Sequence, residues 1–252
     1  MAETSDKLTI TSMAVIAGGL AVLLHEGLGH GVTAWLRGDI PTELTSNHLS
    51  SMRADHWVEA AGTLVNIAVG LPALAASRGK GSANWRYFFW LLGALNLLPA
   101  AGYFMLSGLA GFGDWYEVVA GLPHLALIRV AMTLAGAAAY YGVAWMLART
   151  VTPWSHGGAD YNTIGRLPYY VAGAFSCVAG AFDPLGVKLM LISTIPAAFG
   201  GSSGLMWANY LIPRGSPGGA LVVTRQTGWW IAAVIWGVTF IAVLGRGVHF
   251  AH

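Results

Sequence analysis

The sequence predicts an all-α, polytopic helical membrane protein, and three observations predict it. Of 252 residues, 56% are apolar and only 10% charged, where an ordinary soluble domain carries about 25% charged residues. Mean hydropathy is +0.60. The apolar residues fall in runs of about 20, the length that crosses a bilayer as a helix, without the short alternation of β-barrel strands. So little polar surface excludes a soluble globular enzyme, a disordered chain and a coiled coil. Thirteen Lys and Arg against eleven Asp and Glu, with no basic block, argue against a nucleic-acid partner and leave the lipid bilayer as the expected one.

The first span runs from about Leu8 to Leu36. Before it stand Glu3 and Asp6 rather than a basic stretch, and no small-residue cleavage site follows, so it reads as a retained helix and not as a signal peptide. A polar loop, Arg37 to His56, leads to a second span at about Val58 to Ala76. The third, about Tyr87 to Phe112, is interrupted by Pro99 and Gly102, and the fourth is about Leu125 to Ala148. From Leu167 to Ile212 the chain is almost wholly apolar, too long for one span. Breakers at Asp183-Pro184, Pro196 and the Gly-Ser run 200–204 predict a kinked span, then a shorter and, in one arrangement, half-inserted segment. The last span is about Trp229 to Leu244, flanked by tryptophans that suit interface belts and packing.

The count is six, with seven as the alternative. With six, Lys7, Arg78, Lys80, Arg86, Arg149, Arg166 and Arg246 share one side, and Arg37, Arg53, Arg214 and Arg225 the other. That bias places both chain ends in the cytoplasm, and the expected location is the cell inner membrane. No linker or repeat divides residues 1–252, which read as one membrane domain. The single cysteine, Cys177, can form no internal disulfide, and the 34 glycines suit close helix packing.

Late in the first span stands His25-Glu26-Gly27-Leu28-Gly29-His30. Three ionisable groups in an apolar helix are costly and default to a functional reading. Two imidazoles and a carboxylate suit a divalent metal, with the carboxylate as ligand or general base. The bland alternative is a set of packed polar groups that join helices by hydrogen bonds. Spacing matters here. His-Glu-x-x-His puts two histidines four apart on one face, whereas these are five apart, about 140° around a regular helix. Either a one-residue π-bulge absorbs the extra position, with Gly27 and Gly29 supplying freedom, or the helix stays regular. In that second case Glu26 and His30 form the ligand pair and His25 stands behind them. With only eleven acids in the chain, those inside apolar spans are few: Glu26 and Asp183, with Asp114 at a boundary.

These residues resemble the site-2 protease family of intramembrane zinc metalloproteases, whose first core helix ends in His-Glu-Leu-Gly-His. Leu24 to Gly38 is similar, with one inserted glycine. Ala61-Gly62-Thr63-Leu64-Val65-Asn66 resembles the family's Ala-Gly-Pro-x-x-Asn, and Asn96-Leu97-Leu98-Pro99 its Asn-x-x-Pro, in the same order. The resemblance covers residues 8–115 as a metalloprotease-like core and leaves 116–252 as additional helices. It implies zinc held by His25, His30 and a third ligand, Glu26 as general base, and Asn66 and Asn96 near the cleft holding substrate backbone. The substrate it implies is membrane-embedded, a transmembrane peptide or a lipid-linked molecule. The family's third ligand lies in Leu-Asp-Gly after Asn-x-x-Pro, and this chain has Ala100-Ala101-Gly102-Tyr103-Phe104-Met105 there, with no acid. Asp114, the first acid afterwards, is the first choice. Its rivals are Asp183, His156 with Asp160, and His124.

The remaining candidates have plainer readings. His156 and Asp160 fall in a Gly-rich loop, Asp183 and Lys188 can pair across Pro184, and His249 and His252 are expected in solvent. Two other functions stay open. A membrane non-haem iron oxygenase or desaturase is similar in its His25-x-x-x-x-His30 box; its diiron centre needs more histidines than the eight present, whereas a single iron held by His25, His30 and carboxylates does not. A transporter or scaffold would use Asp183, Lys188 and the first-helix cluster as a polar path.

Overall fold

The computed structural model describes residues 4–53, 55–154, 160–213 and 221–250. Among the described residues, six helices are long and apolar enough to cross a membrane: α1 Lys7–Leu36, α2 His56–Ala76, α3 Ala83–Ala110, α5 Leu125–Trp154, α7 Gly186–Leu211 and α8 Thr227–Gly245. Two further helices complete the bundle, a short α4, Asp114–Val119, and α6, Leu167–Gly180, which continues a π turn at Asn162–Arg166. Helices suit lipid because they satisfy every backbone group internally.

Local chemistry sets the ends. Asp6, Asp55 and Ser82 accept the backbone N–H groups of Thr9, Trp57 and Trp85 and so start α1, α2 and α3. Arg37 at the end of α1 donates to Asp55 at 2.5 Å, and this bond holds the Asp55 carboxyl below the usual carboxylate range. Gly111, in the left-handed region at φ 73°, ends α3. Contrary to the expected interruption, α3 runs unbroken through Pro99 and Gly102. Gly201 of α7 lies against the Pro99 ring, where a Cβ would sit 3.3 Å from it, so a smooth neighbour accommodates the proline.

Three expectations are corrected. The loop after α1 folds as a hairpin, β1 Pro41–Leu44 and β2 Leu49–Ser51, and β3, Val248–His249, adds to β1 in the antiparallel order β2-β1-β3. Its turn is closed by Thr45, whose hydroxyl accepts the N–H groups of Asn47 and His48. Next, the apolar run 167–212 is two helices of which the second is the longer. Asp183 reverses the chain by accepting the N–H of Leu185 on its side chain and that of Gly186, at φ 76°, on its carbonyl. Finally, the described chain starts and ends at opposite ends of the bundle. The Asp6 N–H bonds to the Val223 carbonyl, beside Asn84 and Thr224, whereas β3 pairs with the hairpin at the far end. That extra crossing exchanges the sides expected for Arg225 and Arg246; Arg214 lies outside the described residues.

The core lies between α1, α3 and α5, with Ile10, Met13, Trp90, Leu91, Leu98 and Leu147 fully buried or nearly so. Trp90 donates its indole N–H to the Leu147 carbonyl at 3.2 Å, and Tyr87 its hydroxyl to Ile164 at 2.8 Å. Outward faces of α5 and α8 expose Leu127, Leu134, Ile231, Val234, Ile235 and Val238. Such a surface suits hydrocarbon and not water.

Candidate metal centre

The His-Glu segment lies in a π-helical stretch, Leu24–Gly31, inside α1. A π-helix bonds residues five apart, so His25 and His30 come to one face, and their rings meet edge-on with centroids 4.7 Å apart. Of the two registers open at the sequence level, the structure takes the bulge. Close approach of α2 completes the geometry. At Gly29 a Cβ would lie 2.5 Å from Gly62 Cα, and at Gly62 a Cβ would lie 2.5 Å from His30 Nε2 and 2.7 Å from His25 Nε2. Two glycines therefore let the helices touch and leave room for both imidazoles.

Asp114 supplies the third group. Its Oδ2 lies 3.2 Å from His25 Nε2 and 3.3 Å from His30 Nε2. Gly111 and Gly113, at φ 73° and 91°, turn the chain after α3 so that Asp114 opens α4 pointing back into the bundle. Among the described residues, His25, His30 and Asp114 form the one group of three whose ligand atoms all lie within 4.8 Å of one another.

The hydrogen bonds around the imidazoles fix which nitrogen faces the carboxylate. His30 Nδ1 lies 2.7 Å from the Val58 carbonyl, an acceptor only, so Nδ1 carries the proton. Asn96 donates to the Leu92 carbonyl at 2.7 Å, which turns its Oδ1 to accept from Asn66 Nδ2 at 2.6 Å. Asn66 also donates to Ala21, so its Oδ1 faces His25 Nδ1 at 2.6 Å and accepts from it. Both Nε2 atoms thus face one carboxylate oxygen, an arrangement that a cation or a proton between them stabilises. A tetrahedral ion with bonds of about 2.0–2.1 Å separates its ligand atoms by roughly 3.3 Å, which the 3.2 and 3.3 Å distances match. The residues fit zinc, and two imidazoles with one carboxylate also fit non-haem iron.

The group borders a cavity of about 480 Å³. Glu26 and Glu59 face it beside the ligands, Pro99, Gly102 and Tyr103 form one wall, and Asn47, His48 and Thr194 lie on its far side. Glu26 stands outside the converging set, next to it. Glu59, Gly62, Tyr103 and the Val58 carbonyl went unnoticed in the sequence. Glu59 sits one position into the second span, where its charge was a usable signal.

The other candidates do not join the ligand set. Asn66 and Asn96 have their amides occupied by the chain to His25, and Asn96 is 0% exposed and outside the cavity lining. Asp183, 4% exposed, accepts from Asn47 at 2.9 Å and lies 3.5 Å from His48 Nδ1. That ties the hairpin to the α6–α7 turn and leaves no pair with Lys188, which is exposed. His124 is exposed at the start of α5 with φ 59°. Asp160 precedes α6 at the opposite end of the bundle, and His156 lies outside the described residues, as does His252. His249 is in β3, its side chain 70% exposed and its Nε2 3.6 Å from Glu43. Compared with protein-family models, curated proteins and solved structures, the chain matches none.

Proposed function

We propose that this protein is a membrane-embedded, metal-dependent hydrolase of the intramembrane zinc metalloprotease type. The observation that carries the reading is the convergence of His25 Nε2, His30 Nε2 and Asp114 Oδ2 inside an apolar helix bundle, with Glu26 beside them on the same cavity. His25, His30 and Asp114 would hold the ion and leave a position open. Bound zinc supplies a Lewis acid that lowers the pKa of a water to about 7 and polarises a carbonyl. Glu26 takes the proton of the attacking water and returns it to the leaving nitrogen. Asn66 and the Val58 carbonyl keep both Nε2 lone pairs aimed at the ion. The substrate is an extended stretch of a membrane-embedded chain or a lipid-linked amide. An amide within a helix is already hydrogen-bonded, so the scissile amide has to leave its helix to react.

Non-haem iron oxygenation is the second reading, favoured by the same two-histidine, one-carboxylate set. Metal analysis of protein purified without oxygen separates the two. On the hydrolase reading zinc is present at one per chain, Glu26→Gln keeps it and loses turnover of a membrane peptide or amide substrate, and His30→Ala loses both. Turnover by Glu26→Gln at the parent rate overturns the reading.

A further inference from the structure

We infer that Tyr103 is a positioning residue that holds Asp114 as a one-oxygen ligand, and so sets the affinity and coordination number of the ion. This rests on the metal-centre reading above. The Asp114 carboxylate divides its two oxygens: Oδ2 faces both histidine Nε2 atoms at 3.2 and 3.3 Å, and Oδ1 accepts the Tyr103 hydroxyl at 3.3 Å. The phenol is held in place from two sides. Its ring stands edge-on to the His25 imidazole, with centroids 6.2 Å apart and planes at 77°. Across from it, Gly113 leaves just enough space, since a Cβ there would lie 2.9 Å from Tyr103 Oη and 3.2 Å from Ser107 Oγ. Glycine at 113 thus serves the turn, at φ 91°, and the approach of the hydroxyl.

The next residue extends the grip. Phe104 meets Trp115 edge-on at 5.0 Å and 86°, so consecutive side chains of α3 hold consecutive residues of α4. Tyr103 fixes the carboxylate, and Phe104 fixes the backbone that carries it. This matters because Asp114 opens a helix of six residues, too short to hold a ligand rigidly by itself. With Oη removed, Oδ1 loses its donor and is free to swing onto the ion or away from it. Partners behind a ligand are commonly worth about 10–100-fold in metal affinity.

The test uses the full-length protein in detergent, with Zn²⁺ competition against a chelating dye and the visible absorption of the Co²⁺-loaded form. Tyr103→Phe, which keeps the ring, is expected to bind Zn²⁺ about 10–100-fold more weakly and to show weaker Co²⁺ bands as the coordination number rises. Gly113→Ala, which crowds the phenol, is expected to change the spectrum in the same direction. Tyr116→Phe, on α4 but stacked on Arg129, is expected to match the parent in both. A parent that binds neither ion overturns the metal-centre reading itself. A parent that binds both, with Tyr103→Phe equal to it in affinity and spectrum, overturns the role of Tyr103 alone.

Discussion

Gly29 of α1 and Gly62 of α2 meet backbone to backbone, so that a Cβ on Gly29 would fall 2.5 Å from Gly62 Cα and 2.8 Å from its nitrogen. Nothing larger fits on either side of this crossing, and the two imidazoles sit directly above it. Gly62→Ala therefore has to displace His25 and His30, whose Nε2 atoms lie 2.7 and 2.5 Å from the added methyl position. It is expected to abolish metal binding and to cost about 1–3 kcal/mol of stability. Metal content and thermal unfolding of the purified variant check this.

On the proposed metal-centre reading, Asn66 and Asn96 would act on the ion through His25. Asn66→Ala removes the acceptor of the Nδ1 proton and is expected to weaken zinc about 10–100-fold. Asn96→Ala leaves the His25–Asn66 bond in place and only loosens the orientation of Asn66, so its loss is expected to be smaller. Chelator competition ranks the pair, and equal losses would mean that the chain of amides does not act in sequence.

Asp114 and Asp183 are both acids at one end of the bundle, and their roles separate cleanly. Asp114→Ala is expected to lose the metal while the fold is retained. Asp183→Ala strands the Asn47 amide and the Leu185 N–H, at about 1–3 kcal/mol for an unsatisfied buried group, and is expected to lower the unfolding temperature while keeping the metal. Metal content set against the unfolding midpoint of each variant distinguishes them.

Charge is divided along the bundle axis. Lys7, Arg78, Lys80, Arg86, Arg149, Arg166 and Arg225 gather at the end where the described chain begins, with Asp6 and Asp160 as the acids there among the described residues. Arg86, Arg149 and Arg225 lie over Trp154, Trp145 and Trp230, in the manner of an interfacial belt. This cationic end is expected to face the cytoplasm. The candidate metal centre, roughly 27 Å along α1 from Lys7, then opens toward the opposite side. In a Cys177→Ser background, Ser82→Cys is expected to label from the cytoplasmic side and Met52→Cys from the other. The reverse pattern overturns this orientation.

Composition and run length by themselves determined the helical membrane class, because a bilayer admits a chain with so few charges only as helices that satisfy their own backbone. They also determined that His25, Glu26 and His30 required an account, since each is costly in lipid. Other features were illegible for physical reasons. The strands of the hairpin have four and three residues, too few to show an alternation. In the run 167–212 apolarity is continuous, so the breakers could be read but not the length of the second segment, and the full crossing of Gly186–Leu211 decides the side on which the chain ends. Five-residue spacing allowed two helical registers for the histidines, and the choice between them fell to the contact at Gly62 and the bonds that His25 and His30 donate to Asn66 and Val58. Asp114 was one acid among several until Gly111 and Gly113, free to take positive φ, folded it back across 89 residues to His25. Lipid chemistry acts on each segment alone and can be read along the chain. A ligand set depends on which segments meet, and that is decided by the close packing of glycine against glycine in three dimensions.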